Sequence, residues 1–309
     1  MAFSTTAVDI NRGTSGLSLP KEVSDVVIQG AIAESAIMKL ARKIALPGRG
    51  LTIPMITGDP EAAWVDETDA KPVSNPSLST KIMQAYKLAV IVPFSNEFAR
   101  DLETLYEAIV ARLPRALAMK FDNTVFNGVA PGSNFDVLAG VTEESIGGTN
   151  GIYGALVAAD GVISAAGGIM NGFAMSPQAK SELLSAVDTT HRPIFVNNVA
   201  EGAIPRLLGQ PVYYSKGVYG AGNAASGTSG SSGYVAAKAD ALGFAGDWTQ
   251  ALYGVVEGVK IDLSDQATLT ISDTAVNLWE RNMFAVRAEI EVGFRADTDC
   301  FAKITRTHQ

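Results

Sequence analysis

The chain has 309 residues, 47% of them hydrophobic, 18% charged, with 30 glycines. That is apolar enough for one or two packed domains and too apolar for intrinsic disorder. A formal net charge of −8 with no lysine or arginine cluster disfavours a protein that grips nucleic-acid phosphates, and Cys300, the one cysteine, excludes an intrachain disulfide or a cysteine-based metal site and fits a reduced compartment.

The opening Met-Ala-Phe-Ser-Thr-Thr does not read as a secretory signal, and the longest apolar run, residues 88–94, is too short to span a bilayer. Residues 1–17 are polar, rich in Gly and Thr and without amphipathic period, so they are expected to be ordered only if something holds them. Ser18-Leu19-Pro20 reads as a helix start, with Val23, Val27, Ile37, Leu40 and Ile44 facing a core and Pro47-Gly48 as the stop.

Residues 51–92 read as a long two-stranded arm. Its limbs are 51–65 and 78–92, and its tip, 66–77, is polar and acidic. Pairing over about 12 residues per limb gives an arm of roughly 40 Å at ~3.3 Å per residue. A compact chain of this length has a radius of gyration of only about 19 Å. A lone hairpin is marginal in water, yet this one carries Trp64, Val65, Ile82, Met83, Tyr86 and Leu88. Those side chains need a cover, and a second copy of the chain is the economical one. Pro54 and Pro60 make the first limb an edge strand or an irregular one.

Phe98, Leu102, Leu105, Ile109, Leu113, Leu117, Phe121 and Val125 recur at helical spacing over 95–127. Pro114 is expected to kink or split that helix, and Asn127-Gly128 to end it. Residues 131–252 read as a second unit of short β-prone pieces with a helix over 177–187. Residues 217–233 are a flexible Gly/Ser loop by composition. A strand is expected over 255–263. Val286, Ala288, Ile290, Val292 and Phe294 alternate with Arg287, Glu289 and Glu291 as a half-buried strand, and 301–305 is expected to close the sheet.

Catalytic signals are missing: there is no Walker A loop, no G-x-S-x-G, no H-E-x-x-H and no EF-hand loop. Gly220-Ala221-Gly222-Asn223-Ala224-Ala225 fits a dinucleotide fingerprint loosely but sits in a Gly/Ser loop, outside the strand–turn–helix setting that motif needs. His191, in a turn, and His308, in the tail, read as surface residues. Asp66, Glu67 and Asp69 read as a solvated tip, since their spacing fits no cation loop. Nothing near Cys300 argues for a thiolate. No cofactor, metal or catalytic residue is expected.

The order of N-terminal arm, helix, long hairpin with an acidic tip, long helix, inserted Gly-rich unit and terminal strands resembles the major capsid protein of tailed bacteriophages, the Hong Kong 97-like capsid fold. The local carriers are Leu19-Pro20, Ala63-Trp64-Val65 with Glu67, Lys71-Pro72, Lys87-Leu88-Ala89 leading into Ser95, and Asn127-Gly128. Further on come Met175-Ser176-Pro177, Leu208-Gly209-Gln210-Pro211-Val212, Arg281-Asn282-Met283 and Cys300-Phe301-Ala302-Lys303. Each is weak alone; their shared order is specific.

The resemblance implies an α+β protein with an N-terminal arm and first helix (1–50), an E-loop hairpin (51–93), a P domain (94–130 and 253–309) and an A domain (131–252). It implies self-assembly as pentamers and hexamers into an icosahedral head enclosing double-stranded DNA without sequence-specific binding. The location would be the virion, assembled in the bacterial host cytoplasm with no membrane. Partners would be copies of the chain, a portal and decoration proteins; with the first helix opening as early as Ser18, a scaffolding region has either been removed or is supplied by a separate protein, and Met1-Ala2, which reads as a natural start, favours the second. Intersubunit contact candidates are Trp64, Val65, Lys71, Ile82 and Tyr86. Some members of that family crosslink their subunits. Position by position, Lys71 resembles the attacking lysine, Asn282 the amide and Glu289 the carboxylate that takes the proton. The plainer reading is a solvated Lys beside a turn proline and a strand-edge Asn. Two other readings stand beside the phage head: an encapsulin, which encloses a cargo enzyme in the same fold, and a soluble enzyme with an unrecognised site.

Overall fold

The computed structural model describes residues 35–47, 50–58, 77–101, 109–110, 112–148, 151–187, 190–195, 206–226, 235–256, 260–271 and 274–308. Residues 1–17, the helix start at Ser18-Leu19-Pro20, Val23, Val27, and the arm tip with Trp64, Val65, Asp66, Glu67, Asp69 and Lys71 lie outside them.

The first described helix, α1 (Ala36–Leu40), is capped by Ser35, whose hydroxyl accepts from the Met38 N–H. The chain does not stay helical through Ile44 as its period suggested. It becomes β1 (Arg42–Ala45), which pairs in parallel with residues 252–255, so its backbone groups find partners across a sheet. The arm base follows as β2 (Leu51–Gly58) and β3 (Ser77–Met83), antiparallel from Leu51↔Met83 to Gly58↔Ser77. Pro54 stands opposite Thr80 in a two-stranded ribbon, where a missing N–H is tolerated.

The second limb is not one strand. It breaks at Gln84-Ala85, and β4 (Tyr86–Ser95) leaves the ribbon to pair with residues 283–292. The reason is burial: Leu88, Val90, Val92 and Phe94 face the main core, and Phe94 stacks on Phe98 and Phe284 at 5.7 and 5.6 Å. Tyr86 and Leu88 are therefore body residues, and the described arm ladder is shorter than the two full limbs.

Helix α2 (Asn96–Asp101) starts where β4 ends, with the Ser95 hydroxyl accepting from the Phe98 N–H. Helix α3 (Leu113–Asn127) begins afresh with Pro114 in its first turn, the position a helix tolerates, so the proline starts a helix instead of kinking one. Leu113, Leu117, Phe121 and Val125 are buried along it, and it ends at Gly128. Then come β5 (Thr142–Ser145), α4 (Gly151–Ala165), β6 (Gly172–Met175) and α5 (Pro177–Ser185), the last capped by Ser176. The remaining strands are β7 (Arg206–Leu207), β8 (Gln210–Tyr214), β9 (Asp240–Gly246), β10 (Ala251–Val255), β11 (Lys260–Ser264), β12 (Thr268–Ile271), β13 (Thr274–Asn277), β14 (Met283–Ala296) and β15 (Phe301–Arg306).

Two sheets organise these elements. In the first, Val292 of β14 pairs with both Val255 and Tyr86, and Glu289 with both Lys260 and Ala89. Strand β4 therefore lines one edge of β14, while β10 and then β11 line the other; the strand expected over 255–263 falls across the end of β10 and most of β11, with 257–259 outside the described residues. The second sheet runs β5-β15-β9-β6-β8-β7. Strand β15 lies there, not beside β14, because a 3-10 turn at Thr298–Cys300 redirects the chain and Phe301, Ala302 and Ile304 are buried in that sheet. One face of this sheet meets the main core through Ala174, Phe244 and Phe301. The other packs on α4 and α5 through Phe173, Met175 and Ile304.

Residues 217–226, expected to be flexible, run back along the chain through bridges Gly220↔Ala241, Asn223↔Lys238 and Ser226↔Val235. A Cβ on Gly217 would come within 2.7 Å of the Asp122 Cβ and 2.8 Å of the Met119 carbonyl oxygen, so this glycine serves close approach to α3.

Asp122 ties these parts together. Its side chain is fully buried, and its carboxylate accepts from the Ser35 hydroxyl at 2.6 Å, the Ala36 N–H at 2.9 Å and the Ser215 hydroxyl at 2.8 Å. Burial raises its pKa above the ordinary 3.8 despite those hydrogen bonds. The stability linked to its proton is complete below 3.8 and is lost as pH rises through the raised value. Asp122→Asn keeps one acceptor oxygen in place of two, so it should cost about 1–3 kcal/mol at neutral pH. It should also flatten that pH dependence. Urea midpoints at acidic and neutral pH check both; an unchanged midpoint at neutral pH contradicts the first.

Candidate functional site: an arm and its root

The ribbon of β2 and β3 forms its own two-stranded sheet among the described residues. Ile82, on its last rungs, is 49% exposed. Its root is the reverse. Met83 is fully buried, over the register pair Gly254↔Gly293 of β10 and β14. A Cβ on Gly254 would lie 2.8 Å from the Met83 sulfur, and one on Gly293 would lie 2.6 Å from the Gln84 carbonyl oxygen and 3.1 Å from Met83 Cγ. The two glycines make a notch that only bare backbone leaves open, and Met83 fills it. Gly50 closes the other side: its φ is +86°, and a Cβ there would lie 2.7 Å from the Met83 carbonyl oxygen.

Charged groups surround the notch. Arg295 donates from Nε to the Ile82 carbonyl at 2.8 Å, from Nη1 to Asp136 Oδ1 at 2.6 Å, and from Nη2 to Asn134 Oδ1 at 3.2 Å and the Ser133 carbonyl at 3.4 Å. Asp136 Oδ2 accepts from the Ala296 N–H at 3.1 Å, and Lys81 Nζ donates to the Ala296 carbonyl at 2.9 Å. Tyr86 stands beside this cluster on the body. Its hydroxyl accepts from the Asn134 N–H, and its ring meets Phe135 edge-on at 6.0 Å.

Asn282 lies at the opposite end of β14, in a tight turn with φ +54° and not on a strand edge. Its backbone carbonyl accepts from the Asn96 N–H at 2.9 Å, and its side-chain oxygen accepts from Asn96 Nδ2 at 2.8 Å, at an exposed position. Trp279, in the same turn, is 70% exposed. Glu289 is seven positions further on, about 23 Å along an extended strand. One chain therefore does not bring Asn282 and Glu289 together. Glu289 sits 3.6 Å from Arg287 Nε in a self-neutralising face where Arg287 also pairs with Asp262 at 2.6 Å and Lys87 with Glu291 at 3.0 Å. The hydrogen bond from Arg287 holds the Asp262 carboxyl below its usual value.

His191 is exposed with φ +62°, and His308 Nδ1 lies 2.7 Å from Asp240 Oδ1. Burial opposes the charge on Asp240, yet hydrogen bonds from His308, the Gly222 N–H and Arg306 bring its carboxyl down to about 2. Burial, then Asp297, Asp247 and Asp299, push the Cys300 thiol up, away from a thiolate. Among the described residues no three metal-ligating side chains converge.

The root was not anticipated from sequence. Its signal was Gly254 and Gly293, each interrupting a β-prone run, which is how a close backbone crossing shows itself.

Comparison with known proteins follows the same outline. The phage capsid family matches residues 15–299. A probable major capsid protein, gp17, of Mycobacterium phage L5 is 29% identical over 293 residues, covering 88% of this chain and 84% of its own. The major capsid protein of Staphylococcus phage 80alpha is 24% identical over 299 residues, covering 93% and 84%. Among solved structures, a chain from Microbacterium phage Oxtober96 superposes with a TM-score of 0.70 at 21% identity, covering 96% of this chain and 99% of that one. A capsid chain of a native GTA particle computed with C5 symmetry superposes with a TM-score of 0.61 at 14% identity, covering 99% and 97%.

The notch predicts an order of damage. Gly293→Ala meets the backbone carbonyl of Gln84, whereas Gly254→Ala meets side-chain atoms only, Leu46 Cγ and Cδ1 and the Met83 sulfur, which yield by a change of rotamer. Gly293→Ala should cost about 1–3 kcal/mol as an overpacking change. Gly254→Ala should cost less, both read from urea midpoints. The reverse order contradicts the notch.

Proposed function

The chain belongs to the phage capsid family and has its α+β fold, and from that premise we propose that it is the major subunit of a phage head. It assembles through pentamers and hexamers into an icosahedral shell around double-stranded DNA. The arm of each copy lies across a neighbour. The observation that carries this reading is the ribbon of β2 and β3: a rigidly rooted two-stranded element with a half-exposed Ile82 and no further strand of its own chain beside it among the described residues. Such a ribbon is marginal alone and gains stability when another surface covers it. Trp64, Val65 and Lys71, further along the arm, would share that contact, with Tyr86 bracing the root from the body.

The negative net charge suits a wall that encloses DNA without gripping it. Assembly takes place in the host cytoplasm with scaffolding, a portal and decoration proteins as partners. The relatives are phage proteins, which favours this reading over an encapsulin enclosing a cargo enzyme. The same relatives favour it over a soluble enzyme.

Asn282 supports a second proposal, a covalent lock. Its amide is held at an exposed turn with the carbonyl oxygen hydrogen-bonded by Asn96, which polarises the carbonyl carbon. The amine of Lys71 from a neighbour's arm attacks that carbon, Glu289 of a further copy takes the amine's proton and passes it to the Asn282 amide nitrogen, the new C–N bond forms, the old one breaks and ammonia leaves.

Purified protein should sediment and image as closed particles, whereas a stable monomer by light scattering defeats the shell. Ile82→Ser should change subunit stability by no more than about 0.5 kcal/mol, as for an exposed side chain, yet cut the yield of shells; full yield removes Ile82 from the interface. A denaturing gel of shells should show a ladder of linked chains, and a lone monomer band sinks the covalent lock.

A further inference from the structure

We propose that Arg295 and Asp136 are positioning residues that set the angle at which the arm leaves the body, and through it the curvature of the shell. This rests on the reading that the arm straps a neighbour.

The clasp acts where leverage is greatest. Leu51↔Met83 is the innermost rung of the ribbon, and the residues held from the body are Lys81, Ile82 and Met83, the last three of β3. A ribbon as long as β2 extends about 26 Å at ~3.3 Å per residue, so a tilt of about 10° at its root moves the far end by about 4.5 Å. That displacement is as large as a van der Waals contact distance and separates packed side chains.

The clasp is also built for direction. The Arg295 guanidinium spends its planar fork on four acceptors from two chain segments, the arm strand at Ile82 and the loop at Ser133, Asn134 and Asp136. Asp136 is itself fixed at both ends: its N–H donates to the Phe294 carbonyl at 3.0 Å and its second oxygen accepts from the Ala296 N–H. The Arg295 side chain is only 11% exposed, so salt screens the pair weakly. Pairs this buried contribute little net stability over apolar packing, and their best-attested use is to specify geometry. Met83 in its notch supplies the apolar anchor; the ion pair supplies the orientation. A closed shell of one size needs its copies, in pentamers and hexamers alike, to present their arms within a narrow range of directions.

The test places spin labels at two exposed positions, Thr80→Cys on the arm and Lys120→Cys on α3, diluted with unlabelled chain; the native Cys300 is buried and does not compete. The background chain should give one narrow distance and shells of one diameter. Arg295→Lys keeps the charge and the stem but loses the fork. It should retain the melting temperature while the distance broadens and the shells become mixed in diameter or fail to close. Arg295→Ala should do the same more severely; if it fails to fold, the lysine variant decides. A narrow distance and a single diameter in Arg295→Lys overturn the clasp while leaving the shell intact. Shells absent even from the background chain overturn the strap reading, and the spin-label distance then judges the clasp alone.

Discussion

Strand β14 carries β4 along one edge and β10 and β11 along the other, and this pairing decides where the arm can begin. Once β4 is committed to the sheet from Tyr86 onward, the preceding residues cross over β14 at Gly293. No side chain fits at that crossing, so the chain meets bare backbone above a glycine pair, and Met83 drops into the space. The ribbon of β2 and β3 springs from this point with its base fixed, and its described residues Thr52, Thr80 and Ile82 are exposed.

The same logic, a buried polar group that joins segments far apart in sequence, recurs in the core. Asp122, midway along α3, receives the start of α1 and the hydroxyl of Ser215. It locks the helix to both sheets' surroundings much as Asp136 locks the arm root to the end of β14. Asp122 does so in a site shielded from water, where an unmade hydrogen bond costs more than a made one gains; Asp136 is partly exposed and acts through geometry. The body can therefore act as a stiff platform, and whatever strain assembly imposes falls on the ribbon.

Local periodicity was legible in the sequence. The alternation through Val286, Ala288, Ile290, Val292 and Phe294 marked β14, and the three-to-four spacing through Leu113, Leu117, Phe121 and Val125 marked α3. Helix α4 was missed because its glycines and β-branched residues mask a buried stripe of Ile152, Ala155, Leu156, Ala159 and Ile163. The limb over 78–92 read as continuous because a strand that changes partner keeps its period. Strand β15 went to the wrong sheet because a three-residue turn redirects it, and turn direction leaves no apolar pattern. The arm root was hidden for a deeper reason. Arg295 and Asp136 are 159 positions apart, and the facing of Gly254 and Gly293 is a matter of register. Such pairings are fixed by the whole sheet and not by any window of residues.

The central claim is that the ribbon is completed by a neighbouring copy. Hydrogen exchange of residues 51–58 and 77–83, compared between free subunits and assembled particles, tests it most directly. The account predicts that the outward-facing amides of the ribbon exchange quickly in free subunits and become strongly protected on assembly, while β14 is protected equally in both states. Equal exchange of the ribbon in both states would contradict it.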